Sequence, residues 1–374
     1  MSAPPLYFDH NATTPLLAEV VEAMTPFLTT HFGNPSSGHA YGRVAKAAVE
    51  AARAHVAALV ESSPDEVVFT SGGTEATALA LKGTLRPGVK EKLVTSRVEH
   101  PATMRVCEAL AQQGHEVHFV GIDARGRLDE GALSATLPGA RWLSVIHGHN
   151  ETGALQSLPS LSALTRARGV LLHADASQSA GKVPLSLARD GFDLLTLAAH
   201  KLYGPKGVGA LIVRRGVELM PQQLGAGHER GLRAGTENVP AIVGFGEACR
   251  VAKRDLATLA AQVSELRRAL EQGLRAAVPG LIIACEAGER LPNTSYVVFP
   301  GIPGNVLLDR VPQLAASTGS ACHDGAHEPP RVLLELGLSP EVAIGAVRLT
   351  LGRLNSRADV DEAVRALCAA ANAR

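Results

Sequence analysis

The sequence predicts an α/β protein built on a mainly parallel sheet of seven strands, with a smaller α+β C-terminal domain. Over the first two thirds of the chain, short β-branched runs alternate with helical patterns, which is typical of a parallel sheet flanked by helices. Apolar residues then recur every three or four positions from Val251 to Ala276, which indicates a long amphipathic helix leading into the C-terminal part. We predict a large domain over residues 16–250 and a small domain made of residues 1–15 and 251–374.

Each predicted strand is a short apolar run that ends near a turn. The seven strands of the large sheet are Glu66–Thr70, Lys92–Thr95, Glu116–Val120, Trp142–Ile146, Val170–Ala174, Leu194–Leu197 and Ala210–Arg214. The helices between them are Ala47–Leu59, Glu75–Lys82, Ala102–Gln113 and Leu161–Arg168. In the C-terminal domain we predict strands at Leu281–Cys285 and Ser295–Phe299 and a final helix at Asp359–Ala373.

The composition is that of a balanced globular protein. The 36 basic residues equal the 36 acidic ones and aromatic residues make up only 3%, which argues against binding of nucleic acid or an anionic membrane. No apolar run approaches the roughly 20 residues that a membrane-spanning helix needs. The first nine residues lack the basic start and apolar stretch of a signal peptide, so we expect a cytoplasmic protein.

The five cysteines are odd in number and contain no CxxC pair, which argues against a disulfide framework or a structural zinc site. Four of them are predicted to be small core residues: Cys107, Cys249, Cys285 and Cys368. Cys322 differs because it lies in the small, polar, glycine-containing stretch 317–325. We predict that this stretch is a mobile loop and that its thiol is exposed enough to react.

A Gly-Gly turn follows the first predicted strand of the large sheet. The strand ends at Thr70, and Gly72 and Gly73 lead into a helix whose first residues are Thr74 and Glu75. Such a turn directs free backbone N–H groups at an anion. The motif lacks the lysine of a P-loop, and taken alone it fits better an ordinary strand-to-helix turn with a Ser or Thr cap.

Two further polar residues lie at the ends of predicted strands. Asp175 ends one buried strand, with Gln178 a turn further on, and Lys201 follows another strand in a Gly/Pro-rich loop. Taken alone, the carboxylate is as well explained as a helix cap and the lysine as a solvated loop residue. Together with the Gly-Gly turn they supply a carboxylate, a lysine and a phosphate site at strand ends, the groups that pyridoxal 5′-phosphate (PLP) enzymes require.

Further motifs extend this pattern over nearly the whole chain. They are Asp9–Pro15, Gly33–Ser37, Thr70–Glu75, Glu99–His100, Asn150–Gly153, Asp175–Gln178, His200–Gly207, Gly227–Gly231, Arg233–Asn238, Gly319–Cys322 and Arg348–Arg353. In this order they resemble the cysteine desulfurase and selenocysteine lyase family, in the class V aminotransferase group of fold-type I PLP enzymes. The resemblance implies the PLP-dependent transferase fold of type I, with the catalytic cysteine in the small domain.

The resemblance also implies a role for each matching residue around PLP. Lys201 would bind the cofactor covalently and move the substrate's α-proton, Asp175 would pair with the pyridine nitrogen, and Gln178 would donate to the phenolic oxygen. His100 would stack on the ring and relay protons; the alternative is a histidine that merely caps the turn before Pro101. The residues implied in phosphate binding are Gly73, Thr74 and His200, together with Thr236 reaching the phosphate of the neighbouring subunit. A homodimer with shared sites follows from this.

The implied reaction converts L-cysteine to L-alanine and leaves the sulfur on Cys322 as a persulfide. Asn11, Asn150 and Arg348 would bind the substrate, and the fork of a guanidinium suits both carboxylate oxygens. A protein that accepts the sulfur is then expected, for iron–sulfur cluster assembly or for thiolation of a cofactor or tRNA. No metal ligand set is expected.

The chain departs from the family pattern at three positions. Ala198 stands where many desulfurases have a phosphate-binding Ser, while His149 and His323 replace the usual Asn and Thr. Ala198 and His323 resemble animal selenocysteine lyases, so release of selenide from L-selenocysteine is the alternative activity. The length of the segment from Cys322 to Pro329 favours the desulfurase.

A metal-binding or regulatory protein is the alternative of a different class. His323 and His327 are four residues apart and would suit zinc on a helix. Gly325 and Pro329 disfavour a helix there, and the strand-end carboxylate and lysine would remain unexplained.

Overall fold

The computed structural model describes residues 4–319 and 328–373. Its strands are β1 (Leu6–Tyr7), β2 (Val67–Thr70), β3 (Lys92–Ser96), β4 (Glu116–Val120), β5 (Ala140–Ile146), β6 (Leu171–Asp175), β7 (Leu194–Ala198), β8 (Gly209–Val213), β9 (Ile282–Ile283), β10 (Thr294–Val298), β11 (Leu314–Ala315) and β12 (Ala346–Thr350). Its helices are α1 (Ala18–Thr29), α2 (Ala40–Leu59), α3 (Gly73–Gly83), α4 (Pro101–Gln112), α5 (Glu130–Thr136), α6 (Leu158–Arg166), α7 (Leu187–Asp190), α8 (Val239–Ala277), α9 (Gly304–Asp309), α10 (Arg331–Glu335), α11 (Pro340–Ala343) and α12 (Arg357–Asn372).

The seven-stranded sheet has the order β2-β8-β7-β6-β5-β3-β4. Strand β8 runs antiparallel to both of its neighbours, and the other neighbouring pairs are parallel. The predicted mainly parallel sheet of seven strands is therefore confirmed. Because β6 and β7 are adjacent and parallel, the residues that follow them emerge side by side at one edge of the sheet.

Helices cover both faces of this sheet, as the continuously apolar strands require. The main hydrophobic cluster includes Val49 and Val56 of α2 together with Phe245 and Ala248 of α8. Smaller clusters bury Leu79 of α3 and residues of α4 with β3 and β5.

A second, antiparallel sheet has the order β12-β10-β9. Its hydrophobic cluster contains Leu270 and Leu274 from the far end of α8, Val347 of β12 and Leu367 of α12. The same cluster contains Phe8, because β1 pairs in parallel with β11. The first residues of the chain thus lie against its C-terminal part. The domain boundaries given above stay a prediction.

The structure corrects several predicted bounds. The long helix begins at Val239 rather than Val251, since Asn238 caps it and Pro240 suits its first turn. The strand predicted at Leu281–Cys285 is only Ile282–Ile283. The sequence patterns missed α1, which has Pro26 inside it, and β12. In the described part of the chain, no helix is both long and apolar enough to cross a membrane.

Candidate active site

A cavity of about 330 Å³ opens at the carboxyl ends of β6 and β7. Ten of the predicted site residues line it: Asn11, Gly73, Thr74, His100, Asn150, Asp175, Gln178, His200, Lys201 and Arg348. Residues from the N-terminal segment, the seven-stranded sheet and β12 therefore meet in one place. Of the other two predicted residues, Thr236 lines a different cavity and Cys322 lies outside the described residues.

Lys201 is held at the end of a short 3₁₀ turn. Strand β7 ends at Ala198, and the turn Ala199–Lys201 carries the lysine into the cavity. Its Nζ donates to the carbonyl oxygens of Asn11 at 2.7 Å and Ala12 at 2.8 Å. Burial, followed by the positive charge of Arg348, lowers the pKa of Lys201 to about 8. A substantial fraction of this amine is therefore neutral near physiological pH, as a nucleophile or general base requires.

Asp175 is the last residue of β6 and is buried. Its Oδ1 accepts the backbone N–H of Ser177 at 2.9 Å, which fixes the carboxylate where the chain leaves the strand. Strand pairing sets Asp175 opposite Thr196 of β7, five residues before Lys201. The sheet itself thus sets the relative position of the carboxylate and the lysine.

The Gly-Gly turn lines the same cavity, next to Ser177 and Ala198. Gly72 has a φ of 155°, which favours glycine, and α3 begins at Gly73. A Cβ on Gly73 would lie 3.0 Å from the Ser177 hydroxyl and 3.4 Å from Cβ of Ala198. The first N–H groups of α3 have no acceptor within the helix, so the turn offers donors to an anion.

His200 and His100 border the same cavity. The Nδ1 of His200 lies 3.2 Å from the Thr13 hydroxyl, and burial lowers the pKa of His200 to about 4. His100 caps α4 by accepting the N–H of Ala102 on Nδ1 at 3.1 Å. His100 therefore does cap the helix, as the alternative interpretation predicted, and the residue still lines the cavity. It also fixes the tautomer, because a neutral ring that accepts on Nδ1 carries its hydrogen on Nε2.

The remaining wall is built from the two ends of the chain. Arg348 of β12 donates from one terminal nitrogen to Oδ1 of Asp9 at 2.7 Å and from the other to the carbonyl oxygen of Asn150 at 3.1 Å. The side-chain amide of Asn11 donates to the same Asn150 carbonyl oxygen at 3.2 Å. The buried Nε of Arg348 has no hydrogen-bond partner in the described part of the chain. The guanidinium is thus oriented but retains a free donor.

Sequence reasoning gave no role to three residues that the structure brings to the site. Asp9 forms the ion pair with Arg348, Ser177 lines the cavity, and Lys182 donates to both Asn11 and Gln178. The four-residue spacing from Gln178 to Lys182 was a usable signal for one of these contacts. Nothing in the local sequence indicated the pairing of Asp9 with a residue near the opposite end of the chain.

Comparison with known proteins decides the family. The family model described as aminotransferase class-V matches residues 6–363. A protein named cysteine desulfurase IscS from Anaeromyxobacter sp. (strain Fw109-5) is 44% identical over 367 residues, covering 96% of this chain and 91% of the relative. A cysteine desulfurase from Trichormus azollae is 40% identical, covering 97% of this chain and 92% of the relative. The chain belongs to the class-V aminotransferase family, among its cysteine desulfurases.

Solved structures of similar proteins confirm the fold. A NifS-like protein superposes with a TM-score of 0.91 at 34% identity, with 98% of each chain covered. SspA, solved in complex with cysteine, gives a TM-score of 0.82 at 30% identity over 94% of this chain and 99% of that one. Relatives named as cysteine desulfurases favour that activity over the selenocysteine lyase alternative.

The structure explains one of the three departures from the desulfurase pattern. His149 is buried; its Nε2 lies 3.1 Å from the Val98 carbonyl oxygen, and its Nδ1 accepts the N–H groups of Glu151 and Thr152, each at 3.2 Å. This histidine therefore shapes the turn that carries Asn150. Ala198 lies beside the Gly-Gly turn, and His323 lies outside the described residues, as does His327.

Thr236 is exposed in the single chain. It shares a cavity with Ser71 and Gly207 rather than with Lys201. Its implied contact with the phosphate of a neighbouring subunit, and the homodimer itself, stay predictions.

Proposed function

We propose that this class-V aminotransferase acts as a PLP-dependent cysteine desulfurase, which converts L-cysteine to L-alanine and transfers the sulfur to Cys322. One observation supports the proposal most directly: Lys201, Asp175 and Arg348 line one cavity. They come from different places in the fold, since Asp175 ends β6, Lys201 follows β7 and Arg348 lies in β12. A lysine, an acceptor of a pyridinium proton and a carboxylate-binding arginine are the groups that PLP chemistry on an amino acid uses.

The residues present fit PLP. A buried carboxylate at Asp175, the N–H groups of the Gly-Gly turn and the side chains of Thr74 and His200 would hold its ring nitrogen and its phosphate. Gly73 keeps the phosphate end open, because a Cβ there would fill the space next to the Ser177 hydroxyl. When bound, PLP supplies an electron sink for the negative charge that develops on the substrate's α-carbon.

Lys201 would hold the cofactor and move the α-proton. Its Nζ donates to two carbonyl oxygens, those of Asn11 and Ala12, which fix the position of the amine in the cavity. Because its pKa is lowered to about 8, the amine loses its proton near neutral pH at a small cost in free energy. His100, which lines the same cavity and carries a hydrogen on Nε2, would relay a proton.

Arg348 would bind the substrate carboxylate, with Asn11 and Asn150 beside it. The ion pair with Asp9 holds the guanidinium in one orientation before substrate arrives, which reduces the entropy lost on binding. A second carboxylate would then share the guanidinium, whose Nε has a free donor.

Cys322 would accept the sulfur. Its thiolate attacks the substrate's sulfur, an S–S bond forms, and the Cβ–S bond breaks with its electron pair remaining on carbon. The carbon fragment takes up protons and leaves as L-alanine, so one cysteine and one thiol give one alanine and one persulfide. An acceptor protein would then remove the outer sulfur for iron–sulfur cluster assembly or thiolation. Thr236 of a second subunit would complete the phosphate site in a homodimer.

The test measures alanine released by the PLP-loaded protein from L-cysteine and from L-selenocysteine, side by side with a reductant. We expect turnover of L-cysteine in the presence of the reductant, and one added sulfur on Cys322 by peptide mass spectrometry of a sample reacted without it. Cys322→Ala should lose turnover of L-cysteine while keeping the visible PLP band, and Cys368→Ala, in the second hydrophobic cluster, should behave as wild type. Alanine from L-selenocysteine alone, or wild-type turnover by Cys322→Ala, would contradict the proposal.

A further inference from the structure

Lys182 lies just outside the cavity and contacts two of the residues that line it. Its Nζ donates to Oε1 of Gln178 and to Oδ1 of Asn11, each at 2.9 Å. Both acceptors are amide oxygens, and neither carries a negative charge. The residue as a whole is half-buried, and its ammonium end is the part that lies inside the protein.

The surroundings of Lys182 are unfavourable for a charged side chain, so Lys182 does not favour the folded state. Burial lowers its pKa well below the ordinary value, and the positive charges of Lys201 and Arg348 lower it further. No carboxylate contributes among these effects. A buried amine without a counter-ion costs folding free energy that an apolar side chain of similar length would not. Its presence beside the site therefore points to a role in the site.

The amides of Gln178 and Asn11 form a closed network around this amine. Nε2 of Gln178 donates to the Asn11 carbonyl oxygen at 2.8 Å, and Lys201 donates to that same oxygen at 2.7 Å. The Oδ1 of Asn11 accepts a second bond, from Asn293 at 3.1 Å. Lys182 thus closes a network that runs from Gln178 through Asn11 to Lys201.

An amine selects one orientation of an amide. The N–H groups of Lys182 pair with the oxygen end of Gln178, so in this arrangement the Nε2 end faces away from Lys182. One of the two Nε2 hydrogens is used by the Asn11 carbonyl oxygen, and the second remains for the cavity that Gln178 lines. The Asn11 carbonyl oxygen selects the same orientation through Nε2, so without the amine the Gln178 amide would be held by a protein partner at one end only.

We propose that Lys182 is a positioning residue, which locks the side-chain amides of Gln178 and Asn11 so that a Gln178 N–H is directed at the phenolic oxygen of bound PLP. The inference rests on the proposed function, since it takes PLP as the ligand. Lys182 itself touches neither cofactor nor substrate in this arrangement. It acts by orienting two side chains that do.

This arrangement has a spectroscopic consequence. A hydrogen bond donated to the phenolic oxygen stabilises its negative charge, so the lysine nitrogen joined to PLP holds a proton less tightly. Loss of the directed N–H should raise the pH midpoint of the visible PLP band by about one unit. Arg348, Asp175 and Asp9, which act on Lys201, stay in place in a Lys182 variant. The charge of Lys182 also acts on Lys201, and its direct loss would add to the effect of Gln178→Leu, whereas an effect through the amide would not.

The experiment titrates the visible band of the PLP-loaded full-length protein against pH. The proteins compared are wild type, Lys182→Met, Gln178→Leu, the double variant, Lys182→Arg, and the control Lys253→Met, whose lysine is exposed and donates to the Ala58 carbonyl oxygen. We expect Lys182→Met and Gln178→Leu each to raise the midpoint, and the double variant to raise it no more than Gln178→Leu alone. Lys182→Arg should restore most of the wild-type value, because it keeps an N–H donor.

A purely structural role would lower thermal stability without moving the midpoint. An unmoved midpoint in Lys182→Met, or additive shifts in the double variant, would overturn the inference and leave the proposed function intact. A wild-type protein that develops no visible band with PLP would instead overturn the proposed function, and this inference with it. If Lys182→Met fails to fold, Lys182→Gln replaces it, since its shorter side chain cannot serve both acceptors and should give the same shift.

Discussion

The two sides of the cavity differ in how they are built. The cofactor side consists of residues that follow strands of the seven-stranded sheet: Gly73, Thr74, Asp175, His200 and Lys201. The substrate side adds Asn11 and Arg348 from outside that sheet, with Asp9 behind the arginine and Asn150, which follows β5, beside it. The cofactor side is positioned by the sheet and its turns. The substrate side is positioned by contacts between segments far apart in the chain.

The difference shows in what holds each cationic residue. Lys201 is anchored by two backbone carbonyl oxygens, whereas Arg348 is anchored by the carboxylate of Asp9, which lies 339 residues earlier. The cofactor side therefore depends on main-chain geometry, and the substrate side depends on an ion pair in addition to the bond from Arg348 to the Asn150 carbonyl oxygen. It follows that the two sides should respond separately to substitution.

The largest separate effect is expected for Arg348→Ala. Removing one partner of a buried, hydrogen-bonded charge pair costs about 2–5 kcal/mol, so kcat/KM for L-cysteine should fall about 30- to 5,000-fold. The dissociation constant for PLP, measured from the visible band, should stay within about twofold of wild type. Arg357→Ala, which removes an exposed arginine paired with Asp361, is the matched control. Equal losses in PLP affinity and in turnover would show that the two sides are not separate.

An effect of intermediate size is expected beneath the cofactor side, at Glu99. Burial raises the pKa of Glu99 to about 8, and its Oε2 has no partner in the described part of the chain. Because this folded-state pKa lies above the unfolded value, its contribution to stability is complete below about pH 4.5 and is lost as the pH rises to 8.

Glu99→Gln should remove that pH dependence. Relative to the variant, wild type should lose about 2 kcal/mol of unfolding free energy between about pH 6 and 7.5, at about 1.4 kcal/mol per unit. Denaturant unfolding at several pH values measures this, with the exposed Glu130→Gln as control. Parallel curves for wild type and Glu99→Gln would mean that the carboxyl is ionised throughout.

The smallest effect is expected for Ala198→Ser on the cofactor side. The Cβ of Ala198 lies beside the Gly-Gly turn, so a hydroxyl there would add a donor for the phosphate. A neutral hydrogen bond contributes about 1 kcal/mol, and we expect PLP to bind about three- to fivefold more tightly. Ala198→Cys, of nearly the same size but a weak donor, should change the affinity little. Unchanged affinity in the serine variant would show that Ser177 and the turn already supply all the hydrogen bonds that the phosphate oxygens can accept there.

The same contrast explains what the sequence could predict. Asp175, Lys201 and the Gly-Gly turn follow from strand-end rules, since β-branched runs locate the strands and neighbouring parallel strands bring their ends together. No periodicity predicts that Asp9 meets Arg348 or that β1 pairs with β11, because such contacts depend on the packing of the whole chain. For Asn11, Asn150 and Arg348 only the resemblance to a family supplied the expectation.

The predicted start of α8 was wrong for a related reason. The apolar periodicity of α8 is clear from Val251 onwards, but its first turns consist mainly of apolar residues buried in the main cluster, where no polar face marks the helix. The cap at Asn238 and the proline at 240 were the available signals. Lys182 was overlooked because a lone lysine after a turn is usually solvated.

The pairing of β1 with β11 also bears on the order of events during synthesis. The ribosome releases the amino end first, yet the partners of Asp9 and Leu6 are Arg348 and Leu314, close to the carboxyl end. A nascent chain can form the seven-stranded sheet, which ends at Val213, long before the segment that carries Asn11 finds its place. The active cavity is thus completed only when translation is nearly finished. A partly made chain therefore lacks the arginine that we propose binds the substrate.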